Sequence, residues 1–274
     1  MKSGKDGIFL LYCFILMGRR LIVGDIHSCY GKLISALEKA SFDPECDILY
    51  SVGDIADRGD EPIKTIEFLM DLRDFRPVLG NHDGWLETYL ATGKVDLTWI
   101  SHNGGDVTIA AVEKMGKEWK ERVKKWLYRF PVIRVEEDAI IVHGGIPSDY
   151  TEKELENIAS RSRPHPLVKS FNYDDLLDFS ETEDDDSEYL EEFIWDRDYL
   201  YNAMYASGVK SAFIRMRRKV KPIETKRTIW IGHTPLSDCR PIIDKRYHLA
   251  AIDTGSWFGK VTVVDMGSLE YWQA

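Results

Sequence analysis

The stretch Arg20-Leu21-Ile22-Val23-Gly24-Asp25-Ile26-His27 places a short apolar run directly before a glycine, a carboxylate and an imidazole. The run predicts a buried strand, and the apolar spacing of residues 32–40 predicts a helix after it. The same order recurs twice, with strands at 47–52 and 76–79 separated by an amphipathic helix at 61–72. This β-α-β-α-β alternation predicts a largely parallel sheet covered by helices.

Polar side chains follow the predicted strands, and in parallel α/β sheets ligands bind outside the carboxyl ends of strands. A single aspartate there is often a helix cap, and a single histidine is more often structural than a ligand. Five strand ends with the same chemistry instead predict one metal site. The candidate residues are Asp25, His27, Asp54, Asn81, His82, His143 and His233.

The mixture of carboxylate, imidazole and amide donors suits borderline divalent ions such as manganese, iron or zinc. Because a carboxylate has two oxygens, it could bridge two ions. A pair of ions about 3.5–4 Å apart could clamp a phosphate group and acidify a bound water.

The rest of the chain predicts helices inserted between further strands. Residues 84–130 read as a helical cap, and 150–205 are again helical with an acidic loop at 181–188. Strands are expected at 133–135 and 139–142, as a hairpin, and near 228–231, 241–243, 249–252 and 260–264. We therefore expect one domain over 18–274, with helical insertions at about 84–130 and 150–226, after an N-terminal extension over 1–17.

The net charge limits the classes of binding partner, and the cysteine spacing indicates the redox compartment. The formal net charge of -10 argues against a nucleic-acid partner, because phosphate backbones need a basic surface. It leaves room for a phosphorylated protein or a small phosphoester held in a local positive pocket. The four cysteines show no CxxC spacing, which favours a reducing cytoplasm. The oligomeric state cannot be read from the sequence.

The apolar segment 8–17 needs a separate interpretation. It has about half the roughly 20 residues that span a bilayer, and no small-residue cleavage site follows it. A buried or poorly ordered extension is favoured over a membrane tether or an export signal. Met17 could also be the natural start of the chain.

Five motifs in a fixed order resemble those of the calcineurin-like metallophosphoesterases, and most closely the bacterial and phage branch of their serine/threonine protein phosphatases. They are Asp25-x-His27, the GDxxDRG stretch 53–59, Gly80-Asn81-His82 followed by an acid, His143-Gly-Gly and Gly232-His233-Thr-Pro. The resemblance runs from about residue 20 to 264. It implies an α/β fold in which mixed β-sheets pack as a sandwich flanked by helices, with helical cap insertions.

The resemblance also implies roles for individual residues. Asp25 and His27 would bind the first metal, and Asp54 would bridge both. Asn81, His143 and His233 would complete the second metal, and Asn81 would also contact phosphate.

Further roles concern the phosphate and the leaving group. His82 would be the general acid and Asp57 would orient it, while Arg58 would bind phosphate. Arg197, in a W-x-R motif, would be a second phosphate-binding arginine. Residues 103–105 with Thr108 resemble part of the cap in the bacterial members.

The implied reaction is hydrolysis of phosphoserine or phosphothreonine in proteins, by direct attack of a hydroxide held between two divalent ions, most simply Mn²⁺. Two alternatives stay open: a symmetrical dinucleoside tetraphosphate hydrolase, which shares these motifs, and a non-catalytic phosphate-binding module. The sequence departs from the family in two places, at residues 28–29 and at residue 260. Ser28 and Cys29 follow the first histidine, where glycine is usual, and Lys260 stands where a second glycine is common.

Overall fold

The computed structural model describes residues 18–147, 150–161, 192–206, 223–245 and 248–274. Its strands form two five-stranded sheets. In chain order they are β1 (Arg20–Val23), β2 (Ile48–Ser51), β3 (Phe75–Pro77), β4 (Ile133–Val135), β5 (Ala139–Val142), β6 (Thr228–Ile231), β7 (Ile242–Asp244), β8 (Leu249–Ala251), β9 (Thr262–Asp265) and β10 (Tyr271–Gln273).

Both sheets are mixed. The first has the order β10-β9-β1-β2-β3, and the second has the order β4-β5-β6-β8-β7. The predicted parallel core is present, since β1 pairs with β2 and β2 with β3 in parallel, while β9 and β10 add antiparallel strands. The predicted hairpin of β4 and β5 is confirmed by their antiparallel register.

The helices cover the outer faces of the sheets and build the cap. They are α1 (Tyr30–Lys39), α2 (Pro62–Asp71), α3 (Asn81–Thr92), α4 (Leu97–His102), α5 (Gly105–Val112), α6 (Lys117–Leu127), α7 (Glu152–Arg161) and α8 (Asp198–Ala206). The predicted cap therefore consists of α3 to α6. It begins at Asn81, so Asn81 and His82 occupy the first turn of a helix and not a loop.

The strands bury both of their faces, because successive side chains point to opposite sides of a sheet. Leu21 and Val23 pack into the large core shared with the helices. Ile22, between them, packs into a second core that also contains Ile141 and Trp230 of the other sheet. The two sheets thus face each other across their own apolar layer, as in the predicted sandwich.

Two sequence features lie outside the described residues: the apolar segment 8–17 and the acidic loop 181–188. Within the described part of the chain, no helix combines the length and apolar character needed to cross a bilayer. The division into a single domain after an N-terminal extension stays a prediction.

Candidate metal centre

The polar loops at the carboxyl ends of the strands are joined by backbone hydrogen bonds. The amides of Ile26 and His27, after β1, donate to the carbonyl oxygen of Asp54, after β2, at 3.0 and 2.9 Å. In the second sheet, the amide of Gly232, after β6, donates to the carbonyl oxygen of His143, after β5, at 2.8 Å. Within each sheet, these bonds hold two neighbouring strand-end loops together.

The backbone at these loops is unusual. Asp54, with φ 54°, and His233, with φ 64°, adopt left-handed conformations that residues with a side chain rarely take. His27, Asp57 and Arg58 do the same. Such conformations cluster at functional sites, where surrounding contacts hold them in place.

Close packing explains the glycine at position 80. A Cβ on Gly80 would lie 2.2 Å from Oδ1 of Asp54 and 2.4 Å from the amide nitrogen of Asp54. A side chain there would displace the aspartate, so the sequence uses glycine.

One group of donor atoms forms around Asn81. Its Oδ1 lies 2.9 Å from Nδ1 of His233 and 3.1 Å from Nε2 of His143. The same His143 nitrogen is 3.3 Å from Oδ1 of Asp54. Donors bound to one ion at about 2.1 Å are separated by about 3 Å when adjacent, so these distances match the edges of a coordination shell.

A second group shares Asp54. Its Oδ2 lies 3.6 Å from Nε2 of His27 and 3.9 Å from Nε2 of His82. Asp25 follows β1, and both of its carboxylate oxygens accept from the backbone amide of His233, whose ring belongs to the first group, at 3.1 and 3.3 Å. Asp54 is therefore the carboxylate common to both groups.

The orientation of the imidazole rings fits metal binding. Nδ1 of His143 donates to the carbonyl oxygen of Val52 at 2.7 Å, and Nδ1 of His27 donates to that of Ala56 at 3.0 Å. The Nε2 lone pairs then point into the site, as in metal sites where a backbone carbonyl fixes the tautomer. Nε2 of His143 is then an acceptor that faces two further acceptor oxygens, those of Asn81 and Asp54. A cation bound between these three atoms would relieve their mutual repulsion.

The electrostatics also fit a cation. Burial, with the neighbouring Asp253 and Asp54, raises the pKa of Asp25 well above its ordinary value. Burial lowers the pKa of His27 and of His233 well below the ordinary value, which keeps both rings neutral and able to bind metal. Burial also opposes protonation of His143, but Asp54 outweighs it and raises the pKa of that ring. The donors present thus fit a centre for divalent ions.

His82, the predicted general acid, is held by a buried carboxylate. Its Nδ1 donates to Oδ2 of Asp57 at 2.6 Å, and its backbone amide donates to Oδ1 of Asp54 at 3.0 Å. Nε1 of Trp99 donates to the same Asp57 oxygen at 2.5 Å, and Thr108 lies against the Asp57 amide. Asp57 therefore joins His82, in the first turn of α3, to Trp99 in α4 and Thr108 in α5.

Arg58 lies at the rim of the metal-binding groups. Its two terminal nitrogens are 3.2 Å from Nε2 of His27 and 3.3 Å from Nε2 of His82. Oδ1 of Asn103, from the cap, accepts from Arg58 at 3.3 Å. The cap segment that the sequence singled out thus contacts both Arg58 and Asp57.

Arg197 is close enough to His233 for its charge to act on that ring. After burial and the neighbouring His143 ring, its positive charge is the next cause of the lowered pKa of His233. Trp195, two residues earlier, packs edge-on against the His233 ring with 5.5 Å between ring centroids. All predicted metal, phosphate and acid–base residues are therefore grouped around one centre.

Two buried aspartates support the centre. Asp83 accepts from the amides of Asp54, Ile55 and Gly80 at 2.8–3.0 Å, and burial raises its pKa to about 7. Asp253 accepts from the amide of Gly255 at 2.9 Å, and its carbonyl oxygen accepts from the amide of Leu236, in the loop after His233, at 3.0 Å. The sequence alone predicts no role for Asp83, although an acidic residue after the GNH motif could have indicated one.

The sequence also did not predict the contact of Trp99 with Asp57. A tryptophan in an apolar cap segment predicts core packing, and nothing in the local pattern distinguishes it from Trp85 or Trp119. His102, also in the cap, is exposed, and its ring contacts the hydroxyl group of Ser101 at 2.6 Å.

The sandwich of two mixed sheets, with histidines and aspartates at the strand ends, defines a metallophosphoesterase. The family model for the calcineurin-like phosphoesterases matches residues 18–205, and the chain belongs to this family. It is a hydrolase family with a dinuclear metal centre, in agreement with the two groups of donors that share Asp54.

Relatives with different names are similar to the chain. It is 26% identical over 239 residues to "Serine/threonine-protein phosphatase 2" of Salmonella typhimurium, which covers 86% of this chain and 87% of that protein. It is 35% identical over 135 residues to "Bis(5'-nucleosyl)-tetraphosphatase, symmetrical" of Coxiella burnetii, covering 48% of this chain and 44% of that protein.

Solved structures agree on the fold. The cold-active protein-tyrosine phosphatase of a psychrophilic Shewanella species superposes with a TM-score of 0.56 at 18% identity, over 91% of this chain and 76% of that one.

Proposed function

We propose that the chain is a phosphoric monoester hydrolase that removes phosphate from phosphoserine and phosphothreonine in proteins. The observation that carries this proposal is the position of Arg58, whose guanidinium lies at the rim of the donor groups within 3.3 Å of both His27 and His82. Similarity to a serine/threonine protein phosphatase over 86% of the chain supports the substrate class.

The proposed ligands divide between two ions. Asp25 and His27 hold the first ion, and Asn81, His143 and His233 hold the second, with Asp54 shared. The donor set suits Mn²⁺, with iron and zinc as further borderline ions. When bound, two such ions supply an acidified water and neutralise charge on the phosphate.

The remaining residues act on the substrate. Arg58 and Arg197 bind the phosphate through planar donors, and Asn81 contacts it from the first turn of α3. His82 gives its Nε2 proton to the leaving oxygen, while Asp57 retains the proton on Nδ1 and keeps the ring oriented. This protonation matters because an alkoxide is a poor leaving group.

Hydrolysis of p-nitrophenyl phosphate with and without Mn²⁺ tests the site. Asp54→Asn removes the shared carboxylate and is expected to abolish both Mn²⁺ stimulation and tight Mn²⁺ binding, measured by calorimetry. Asp71→Asn, a matched change on the exposed face of α2, should leave both unchanged. Full Mn²⁺-dependent activity in Asp54→Asn would contradict the proposed centre.

A second candidate is hydrolysis of symmetrical dinucleoside tetraphosphates, which the 35% identity to the Coxiella burnetii protein favours. Turnover of a phosphoserine peptide and of diadenosine tetraphosphate by one preparation separates the two. A kcat/KM at least tenfold higher for the dinucleotide would reverse our assignment. A preparation that binds no divalent ion would instead support the non-catalytic module.

The proposed setting is the cytoplasm. Fractionation of the full-length protein tests this, since recovery with membranes would assign a tethering role to residues 8–17.

A further inference from the structure

The turn after β8 presents an aromatic ring to Arg58. We call residues 255–259 the Trp257 turn. The Arg58 guanidinium carbon lies 5.7 Å from the centroid of the Trp257 ring, within the range of a cation–π contact. Trp257 is 51% exposed, which is unusual for a side chain of this size. The proposed function so far gives it no role.

The Trp257 turn is firmly built. The carbonyl oxygen of Gly255 accepts from the amides of Phe258 at 3.1 Å and Gly259 at 2.5 Å. Gly255 itself has φ +68°, and a Cβ there would meet the Phe258 ring at 2.2 Å. The turn therefore fixes the backbone from which Trp257 projects, and the Phe258 ring packs edge-on against the Trp257 ring with 4.9 Å between centroids.

Lys32 anchors this turn to α1. Its Nζ donates to the carbonyl oxygens of Ser256 at 2.6 Å and Gly259 at 2.8 Å. Because α1 follows the loop that carries Asp25 and His27, Lys32 connects the Trp257 turn to the metal-binding side of the molecule. Because one ammonium group binds two carbonyl oxygens of the turn, Lys32 fixes the turn at two points.

The contacts of Arg58 show what the ring adds. Its terminal nitrogens reach His27, His82 and Asn103, so these contacts lie along the edge of the guanidinium. The ring of Trp257 instead faces the central carbon of the guanidinium group. An arginine has several rotatable bonds, and holding it in its binding geometry in advance lowers the entropic cost of binding phosphate.

We propose that Trp257 is a positioning residue that holds Arg58 in its phosphate-binding geometry, and that Lys32 maintains the Trp257 turn for this purpose. The inference rests on the proposed phosphate-binding role of Arg58. It differs from direct recognition of the substrate by Trp257, because a positioning residue acts only while Arg58 is present.

A double-mutant cycle on the Mn²⁺-loaded full chain tests the proposal. Trp257→Leu, Arg58→Ala and the double variant are compared with the wild type. Two quantities are measured: binding of inorganic phosphate by calorimetry, and KM and kcat for p-nitrophenyl phosphate. Trp257→Leu is expected to weaken phosphate binding about 5-fold, mainly through KM, and Trp257→Phe should restore most of the loss. In the Arg58→Ala background, Trp257→Leu should change binding less than 2-fold.

Two further variants complete the design. Lys32→Met should weaken phosphate binding in the same direction as Trp257→Leu. Tyr271→Leu alters a similarly exposed aromatic residue on β10 and should leave phosphate binding and kinetics unchanged. Circular dichroism verifies that each variant is folded.

The outcomes separate the two proposals. An equal loss from Trp257→Leu with and without Arg58 would overturn the positioning role, as would no loss in the single variant. If Arg58→Ala itself leaves phosphate binding intact, the proposed role of Arg58 fails and the positioning role fails with it. A loss in Arg58→Ala with none in Trp257→Leu would overturn only the positioning role.

Discussion

Replacing Trp99 with phenylalanine should damage both stability and catalysis, because Trp99 is fully buried and donates to the carboxylate that also accepts from His82. Oδ2 of Asp57 accepts from Trp99 at 2.5 Å and from His82 at 2.6 Å. Phenylalanine keeps an aromatic ring but removes the N–H donor. One of the two donors to this oxygen is thereby lost.

The magnitude follows from the environment of Asp57. A hydrogen bond to a charged buried group contributes about 1.5–3 kcal/mol, and the smaller ring leaves a space that costs about 1 kcal/mol more. A total near 3 kcal/mol corresponds to a fall in Tm of about 6–12 °C for a chain of this size. A less fixed Asp57 also allows His82 to move, for which we expect kcat to fall about tenfold.

Thermal unfolding followed by circular dichroism measures the loss of stability, and kcat for a phosphoserine peptide, whose leaving group needs a proton, measures the effect on His82. Trp126→Phe is the matched control, since Trp126 packs on Phe75 and Phe130, outside the site. It should unfold within a few degrees of the wild type and keep its kcat. The reasoning would be refuted if Trp99→Phe had the Tm and kcat of this control.

Three other predictions follow from single contacts. His82→Asn should reduce turnover of a phosphoserine peptide by roughly 10²–10⁴-fold but that of p-nitrophenyl phosphate much less, because p-nitrophenol leaves without a proton; equal losses would exclude His82 as the acid. Gly80→Ala, whose Cβ would lie 2.2 Å from Oδ1 of Asp54, should weaken Mn²⁺ binding at least tenfold by calorimetry, whereas Gly31→Ala, with open space around its Cβ, should not. Burial raises the pKa of Glu87 to about 8, above its ordinary 4.5, so its contribution to folding is full below pH 4.5 and is lost as pH rises towards 8. Glu87→Gln should therefore raise Tm relative to the wild type at pH 8 and not at pH 4.5, and the same difference at both values would exclude titration of Glu87 as the cause.

The strand-end residues could be predicted because their chemistry is local. Each stands directly after an apolar run and beside a glycine, so the sequence shows both the strand and its polar end. Parallel pairing of β1, β2 and β3 then brings Asp25, Asp54 and Asn81 to the same edge. The bounds of the strands shifted by one or two residues, which did not affect this argument.

Contacts between distant elements could not be predicted in the same way. The bond from Trp99 to Asp57 joins residues 42 positions apart, and the attachment of Lys32 to Gly259 spans 227. Neither residue stands in a pattern that distinguishes it from an ordinary core tryptophan or surface lysine. Their roles arise from how the cap and the C-terminal turn pack over the strand ends, which only the tertiary structure reveals.

The donors of the metal centre come from both sheets of the sandwich, with Asp54 and His27 on one side and His143 and His233 on the other. Asp54 and His143 would hold a metal ion between the two sheets, so that the ion would link one sheet to the other. The affinity of the site for an ion would therefore depend on the alignment of the two sheets, because a small shift of one sheet against the other would lengthen several donor–ion distances at once. A molecule that moved one sheet against the other is therefore expected to weaken ion binding without contacting Arg58.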